Sequence, residues 1–405
     1  MIKPLHYYLI ATGSWFLAYG IQGVMFAWFV TIVLRESPSM VGIAHMTLLA
    51  PATVLVLIGG SLADQFGGKP IAIIGQSLAV VCVLFLALVI YFDYFSYPIL
   101  LVFAFALGCA QAIVTPARDG LLPLVASGRI QRTVVQSTIT QFGIMMLGFV
   151  IASFADKSGA LIILSIQVAV LLFGIVAILK IKVNSSQSPE SDYNLMKQIR
   201  LSIYTGMQTV LGNPVLRAIL LINFAMGLFF MSSYMVTIPL LLREVYGGSS
   251  SQLSWINLAN CLGLVLMMFY LLRMGDLKRQ GRGLLLSHGI GAIALAGVAL
   301  GTGFISLIVG VFVWGLAGGL SVTASRSIAQ ELSPPSQRGR VMAFFSFSFM
   351  AAGPIGALFS GFMSGWLGPE IALLCSAFAM LIVVIAVSIC SSLWNLGINE
   401  EITKY

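Results

Sequence analysis

The stretch Gly59–Pro70, GGSLADQFGGKP, interrupts two long apolar runs with four glycines, a proline and charges of both signs. Its Gly68-Lys69 pair first invites a phosphate-loop reading. That motif, G-x-x-x-x-G-K-[ST], would need glycine at Ala63 and Ser or Thr at Pro70, set in a strand–loop–helix unit. The nucleotide reading fails. The stretch reads instead as a tight turn between two membrane spans, its glycines allowing two helix ends to approach closely.

The surrounding composition supports this. The 405-residue chain is 59% hydrophobic and 8% charged, with mean hydropathy +1.02. A soluble domain carries about 25% charged residues, so the solvent this surface needs is lipid. The net charge of +8 sits in short loops between apolar runs, not on a stripe, which argues against nucleic acid as a partner. Cys82, Cys109, Cys261, Cys375 and Cys390 lie in apolar segments without C-x-x-C spacing. They read as small buried hydrophobes, and no cofactor or metal is expected. The first apolar run reaches about Leu34, too long for a cleavable signal.

Crossing a bilayer takes roughly 20 apolar residues as a helix. Twelve such runs occur, near 5–34, 40–61, 70–92, 97–118, 133–155, 159–181, 216–243, 252–273, 284–302, 304–326, 340–365 and 370–394. Residues 1–182 and 213–405 are thus expected to form two six-helix bundles. Residues 183–212 between them read as a cytoplasmic linker, in which LMKQIRLSIYTGMQTVL has the periodicity of a surface helix. With the N-terminus inside, only Arg35, Lys157 and Arg243 of the 21 Lys and Arg fall outside. Both termini are therefore expected in the cytoplasm of a multi-pass inner-membrane protein.

The halves repeat. Arg35-Glu36 recurs as Arg243-Glu244, Thr115-x-x-Arg118 as Thr323-x-x-Arg326, Arg132 as Arg340 and Gly148 as Gly356, every pair 208 positions apart. Six spans per repeat is an even number, so both halves enter the membrane in one orientation. That is a parallel repeat, a layout used by two-bundle transporters.

With the turn placed on the cytoplasmic side, Gly60-x-Leu62-Ala63-Asp64-x-x-Gly67-x-Lys69 resembles the loop 2–3 signature of the major facilitator superfamily. The resemblance implies an all-α fold of 12 transmembrane helices in two pseudo-symmetric six-helix bundles. It also implies a latch role for Asp64, with Gly60, Gly67 and Lys69 shaping the turn and the eleventh span, from Arg340, as partner. A solvated turn is the plain alternative. Gln65 and Gly68 stand where the family commonly has basic residues, which implies a weaker latch. Thr115–Pro123, TPARDGLLP, Gly212–Arg217, GNPVLR, and the run SRSIAQELSPPSQRGRVMAFFS from Ser325 resemble the branch of enterobactin exporters and macrolide efflux proteins.

Arg118 and Arg326 read equally as gate residues or anion contacts and as snorkelling anchors. The eleventh span carries Gly353-Pro354-Ile355-Gly356, where small residues allow close helix approach. Candidate substrate contacts are uncharged polar groups inside spans: Gln22, Gln111, Gln141, Asn223, Asn257 and Asn260, with Tyr234 as an aromatic wall. Interhelical hydrogen bonding is the plainer role for each amide. Candidate coupling groups are His45, Asp119 and Glu331, and protons as coupling ion are implied by the resemblance more than by residues. His288 reads as packed or interfacial.

The leading reading is a monomeric secondary transporter working by alternating access. It exports an amphipathic or apolar small molecule, drug-like or siderophore, by proton antiport. A lysophospholipid or other lipid-like substrate is the runner-up, and a non-transporting sensor or scaffold is the reading from another class. An enzyme is not expected: no H-E-x-x-H, G-x-G-D or G-x-S-x-G lies at membrane depth.

Overall fold

A computed structural model describes residues 4–126, 130–181, 207–208, 210–274, 279–301, 303–334 and 338–396, without the side chains of 57, 61, 64, 130–132 and 338–340. The chain is all-α, as expected, with no strand among the described residues. Among the described residues, twelve helices are long and apolar enough to cross a membrane. They are α1 (Pro4–Val33), α2 (Pro38–Phe66), α3 (Gly68–Tyr91), α4 (Tyr97–Val125), α5 (Ile130–Ala152) and α6 (Ala160–Lys180). The second set is α7 (Pro214–Tyr246), α8 (Ser250–Met274), α9 (Gln280–Leu300), α10 (Phe304–Glu331), α11 (Arg338–Leu367) and α12 (Pro369–Cys390). The proposed linker helix falls largely outside the described residues.

Local chemistry sets the helix ends. Asn213 caps α7, its Oδ1 accepting from the Val215 and Leu216 amides at 2.9 and 3.2 Å, with Pro214 at the first helical position. Between α2 and α3 the whole connection is Gly67, at φ 87°, a conformation that side-chain-bearing residues rarely adopt. The opening stretch is therefore mostly helix, broken at a single residue. Apolar side chains cover much of the outer surface: Ile305 and Trp366 are each 79% exposed. Such exposure across all twelve helices fits a lipid environment and not water.

The packing divides the chain into two units, Met1–Pro189 with Leu242–Leu258, and Glu190–Leu241 with Ala259–Tyr405. In the first, α1 packs on α5 and α6, and α4 on α2 and α3. A cluster of Tyr8, Ala11, Ala63, Ala72, Ala117, Leu121 and Ile178 joins α1, α2, α3, α4 and α6. In the second, α9 packs on α10 and α12, and α7 on α11. Glycines allow these crossings in matching places. A Cβ at Gly148 would fall onto the Leu17 carbonyl of α1, and one at Gly356 onto the Leu228 carbonyl of α7.

Leu242–Leu258, the end of α7 and the start of α8, belongs to the first unit through specific bonds. The Asp156 carboxylate accepts from Trp28 Nε1 at 2.8 Å, the Ser250 amide at 2.6 Å and Ser250 Oγ at 2.7 Å. An acidic side chain thus meets the first amide of α8, where helix polarity favours negative charge. Arg243 Nη1 donates to the Glu36 carbonyl at 2.6 Å, just past the end of α1.

Candidate functional site

The larger of two matched pockets lies in the second unit, with a volume of about 210 Å³. Its shape starts with a departure from α geometry. α7 runs as π-helix over Met226–Met231 and again over Ser233–Thr237, a register change that often marks a functional segment. Met226, Phe230, Met231 and Tyr234 from these turns all face the pocket. Trp314 of α10 meets Phe230 and Tyr234 edge to face, at 5.4 and 5.9 Å between ring centres.

One polar wall faces these rings. His288 Nδ1 lies 2.9 Å from the Leu284 carbonyl, which can only accept, so Nδ1 carries the proton in the neutral ring. Nε2 is left as an acceptor for the Ser321 hydroxyl, 3.1 Å away. Phe230 stacks on the imidazole face, 15° from parallel. Asn260 completes the wall and donates to the Val311 carbonyl at 3.3 Å. Aromatic and thioether surface with a few fixed polar groups is the composition of a small-molecule site.

The first unit carries the equivalent place. Ala18, Gln22, Ala79 and Leu107 line its pocket, and Met226, Phe230, Ser287 and Gly315, each 208 positions later, line the other. Its chemistry is the opposite. Gln22, Gln111 and Gln167 converge beside Trp15 and Tyr19 on a void of about 20 Å³, enough for a water molecule and little else. Gln167 Nε2 donates to the Ala18 carbonyl at 3.2 Å and to Gln22 Oε1 at 3.0 Å. The Ala18 carbonyl orients Gln167, which then orients Gln22, leaving Gln22 Nε2 and Gln167 Oε1 buried without a hydrogen bond.

The sequence-derived candidates separate on this geometry. Gln22 and Gln111 line the first pocket, and Tyr234 and Asn260 the second. Asn223 instead ties α7 to α11, donating to the Phe345 carbonyl and Ser348 Oγ at 2.6 and 2.9 Å. Asn257 donates to the Leu253 carbonyl of its own helix, and half-buried Gln141 lines neither pocket. Lys69 donates to the Leu179 and Ile181 carbonyls at 2.9 and 2.8 Å, closing the C-terminus of α6. Gly60 sits over Pro116 of α4. The side chains of Asp64 and Arg340 lie outside the description.

Arg118 and Arg326 differ despite matching positions: Arg118 is largely buried, with Phe16 under its guanidinium at 4.5 Å, and Arg326 is exposed. Among the coupling candidates, His45 is buried edge-on to Phe26, with Nδ1 3.1 Å from the Val41 carbonyl. Asp119 is exposed and 4.0 Å from Arg118, and Glu331 accepts from Gln280 at 3.1 Å. Sequence reasoning missed Phe230, Trp314, Ser321 and Gln167, and read His288 as packed or interfacial where it lines the pocket. Gln167 and Ser321 carried a readable signal, a polar group inside an apolar run; Phe230 and Trp314 did not.

Two six-span repeats, each with a pocket among its helices, define a polytopic membrane protein of the two-bundle transporter class. The sequence profile of the Major Facilitator Superfamily matches residues 8–249 and 228–394, so the chain belongs to that family of membrane transporters. Solved structures agree on the fold. The nucleoside transporter NupG superposes with a TM-score of 0.69 at 14% identity, covering 96% of this chain and 99% of its own. A POT family transporter in complex with 5-aminolevulinic acid gives 0.74 at 13%, covering 96% of each. No curated protein matches the chain.

Proposed function

We propose that the protein is a secondary transporter that exports an amphipathic or largely apolar organic molecule by alternating access, with protons moving in the opposite direction. The observation that carries the substrate reading is the aromatic pocket of the second unit. Its lining offers Phe230, Tyr234, Trp314 and Phe349 with Met226 and Met231, and no charged side chain among the described residues. Such a lining rewards burial of apolar surface and leaves a dense charge without a counter-ion. Asn260, Ser321 and His288 supply the polar contacts an amphipath needs for orientation. Export and proton coupling rest on the resemblance of the sequence motifs, and the placement of both termini in the cytoplasm of the inner membrane rests on the distribution of Lys and Arg.

Purified protein in liposomes tests this reading. With a fluorescent hydrophobic amine or a siderophore inside and acid outside, efflux should exceed that of empty liposomes and collapse when the gradient is removed. Trp314→Ala should lower efflux by roughly tenfold, the scale of a buried aromatic anchor. Efflux indifferent to the gradient removes proton antiport, and wild-type rates in Trp314→Ala remove the pocket from the substrate path.

A further inference from the structure

Arg118 carries positive charge into the first unit without full compensation among the described residues. Only 12% of its side chain is exposed. Its Nη2 reaches Asp119 at 4.0 Å, the limit of an ion pair, and the Asp119 side chain is 68% exposed. Among the described residues its Nη1 is buried and makes no hydrogen bond. Phe16 supports the guanidinium face but leaves the in-plane N–H groups unanswered.

The neighbouring hydroxyls share this condition. Among the described residues Tyr8 Oη and Thr12 Oγ1 are both buried without a hydrogen bond of good geometry, and Tyr8 lies close to Thr12, Ser137 and the Arg118 charge. Tyr8 and Arg118 together border a small void of about 10 Å³, with Ala11, Val114, Leu121, Ile178 and Gln76 also in its lining, and Gln76 Nε2 donates to the Leu171 carbonyl and Ser14 Oγ. A guanidinium N–H and the Tyr8 hydroxyl can both donate into this void, which has the room of about one water molecule. A buried cation facing donors and a water-sized space is unfavourable until a negative charge arrives.

We propose that this void is a binding site for a small inorganic anion of halide size, held by Arg118 Nη1 with the Tyr8 hydroxyl. The site lies in the first unit and is separate from the pocket assigned to the exported molecule. Arg326, at the equivalent position of the second repeat, is exposed and builds no such site.

The test uses the full-length protein in neutral phosphatidylcholine nanodiscs, with chloride replacing gluconate at constant ionic strength. Thermal unfolding should shift upward and saturate with chloride, because a ligand of the folded state stabilises it. In Arg118→Gln the apparent affinity should fall roughly thirtyfold, the effect of removing one side of a buried charge contact. Tyr8→Phe should weaken the response and Arg118→Lys should retain part of it, so the proposal stays testable where Arg118→Gln does not fold. Arg326→Gln should respond as wild type. Absence of any chloride effect, or equal effects in wild type and Arg118→Gln or Tyr8→Phe, overturns the site. Stabilisation by decanoate but not chloride also overturns it.

Discussion

Asp156 shows how much one exposed side chain can organise. Its carboxylate accepts three donors, from Trp28 and Ser250, and the Asp156 amide donates back to Ser250 Oγ at 3.1 Å. Asp156→Ala should lower the thermal midpoint of the detergent-purified protein, with a loss of about 1–2 kcal/mol given solvent access to the site. Trp28→Phe, which removes one donor, should cost less than half as much. An unchanged midpoint for Asp156→Ala would show that water replaces these bonds fully. At this scale sequence patterns misled as well as informed. Arg118 and Arg326 occupy matching motifs, yet burial separates them, because neighbouring helices and not the motif decide which face an arginine meets.

Among the helices, α5 permits a controlled comparison. Gly148 lies against the Leu17 carbonyl and Gly20 of α1, and Gly143, five residues earlier, has nothing within 4 Å of where a Cβ would be. Gly148→Ala should force α1 and α5 apart and lower the midpoint by several degrees. Gly143→Ala should be neutral or slightly stabilising, since alanine is the better helix former by roughly 1 kcal/mol. Equal midpoints for the two variants would mean that the crossing is not close. The spans themselves were legible because crossing lipid demands an uninterrupted apolar run. Gln22, Gln111, Tyr234 and Asn260 were legible for the same reason, as polar or amphipathic groups that lipid disfavours. Phe230 and Trp314 were not, because an aromatic residue in an apolar span reads alike whether it packs or lines a void. Phe230 sits in the π register of α7, which leaves no mark on hydropathy.

The whole molecule repeats its architecture and diverges in its interior. Three glutamines surround a water-sized void in one unit and aromatic rings a larger pocket in the other, with Gln22 and Phe230 at equivalent positions. Function that depends on the chain as a whole is best tested by rate. Asp64, on the latch motif, should set the speed of the conformational cycle, so Asp64→Asn should slow efflux at normal protein abundance. Unaltered efflux would reduce Asp64 to a solvated turn residue. The inclusion of Leu242–Leu258 in the first unit has a consequence for inheritance. A recombination breakpoint anywhere between residues 156 and 250 draws Asp156 from one parent and Ser250 from the other. Chimeras of related transporters joined at the central linker should therefore succeed when both parents keep this acid–hydroxyl pair. Where one parent has replaced either member, the junction should leave a helix start without its acceptor, however well each half folds in its own lineage.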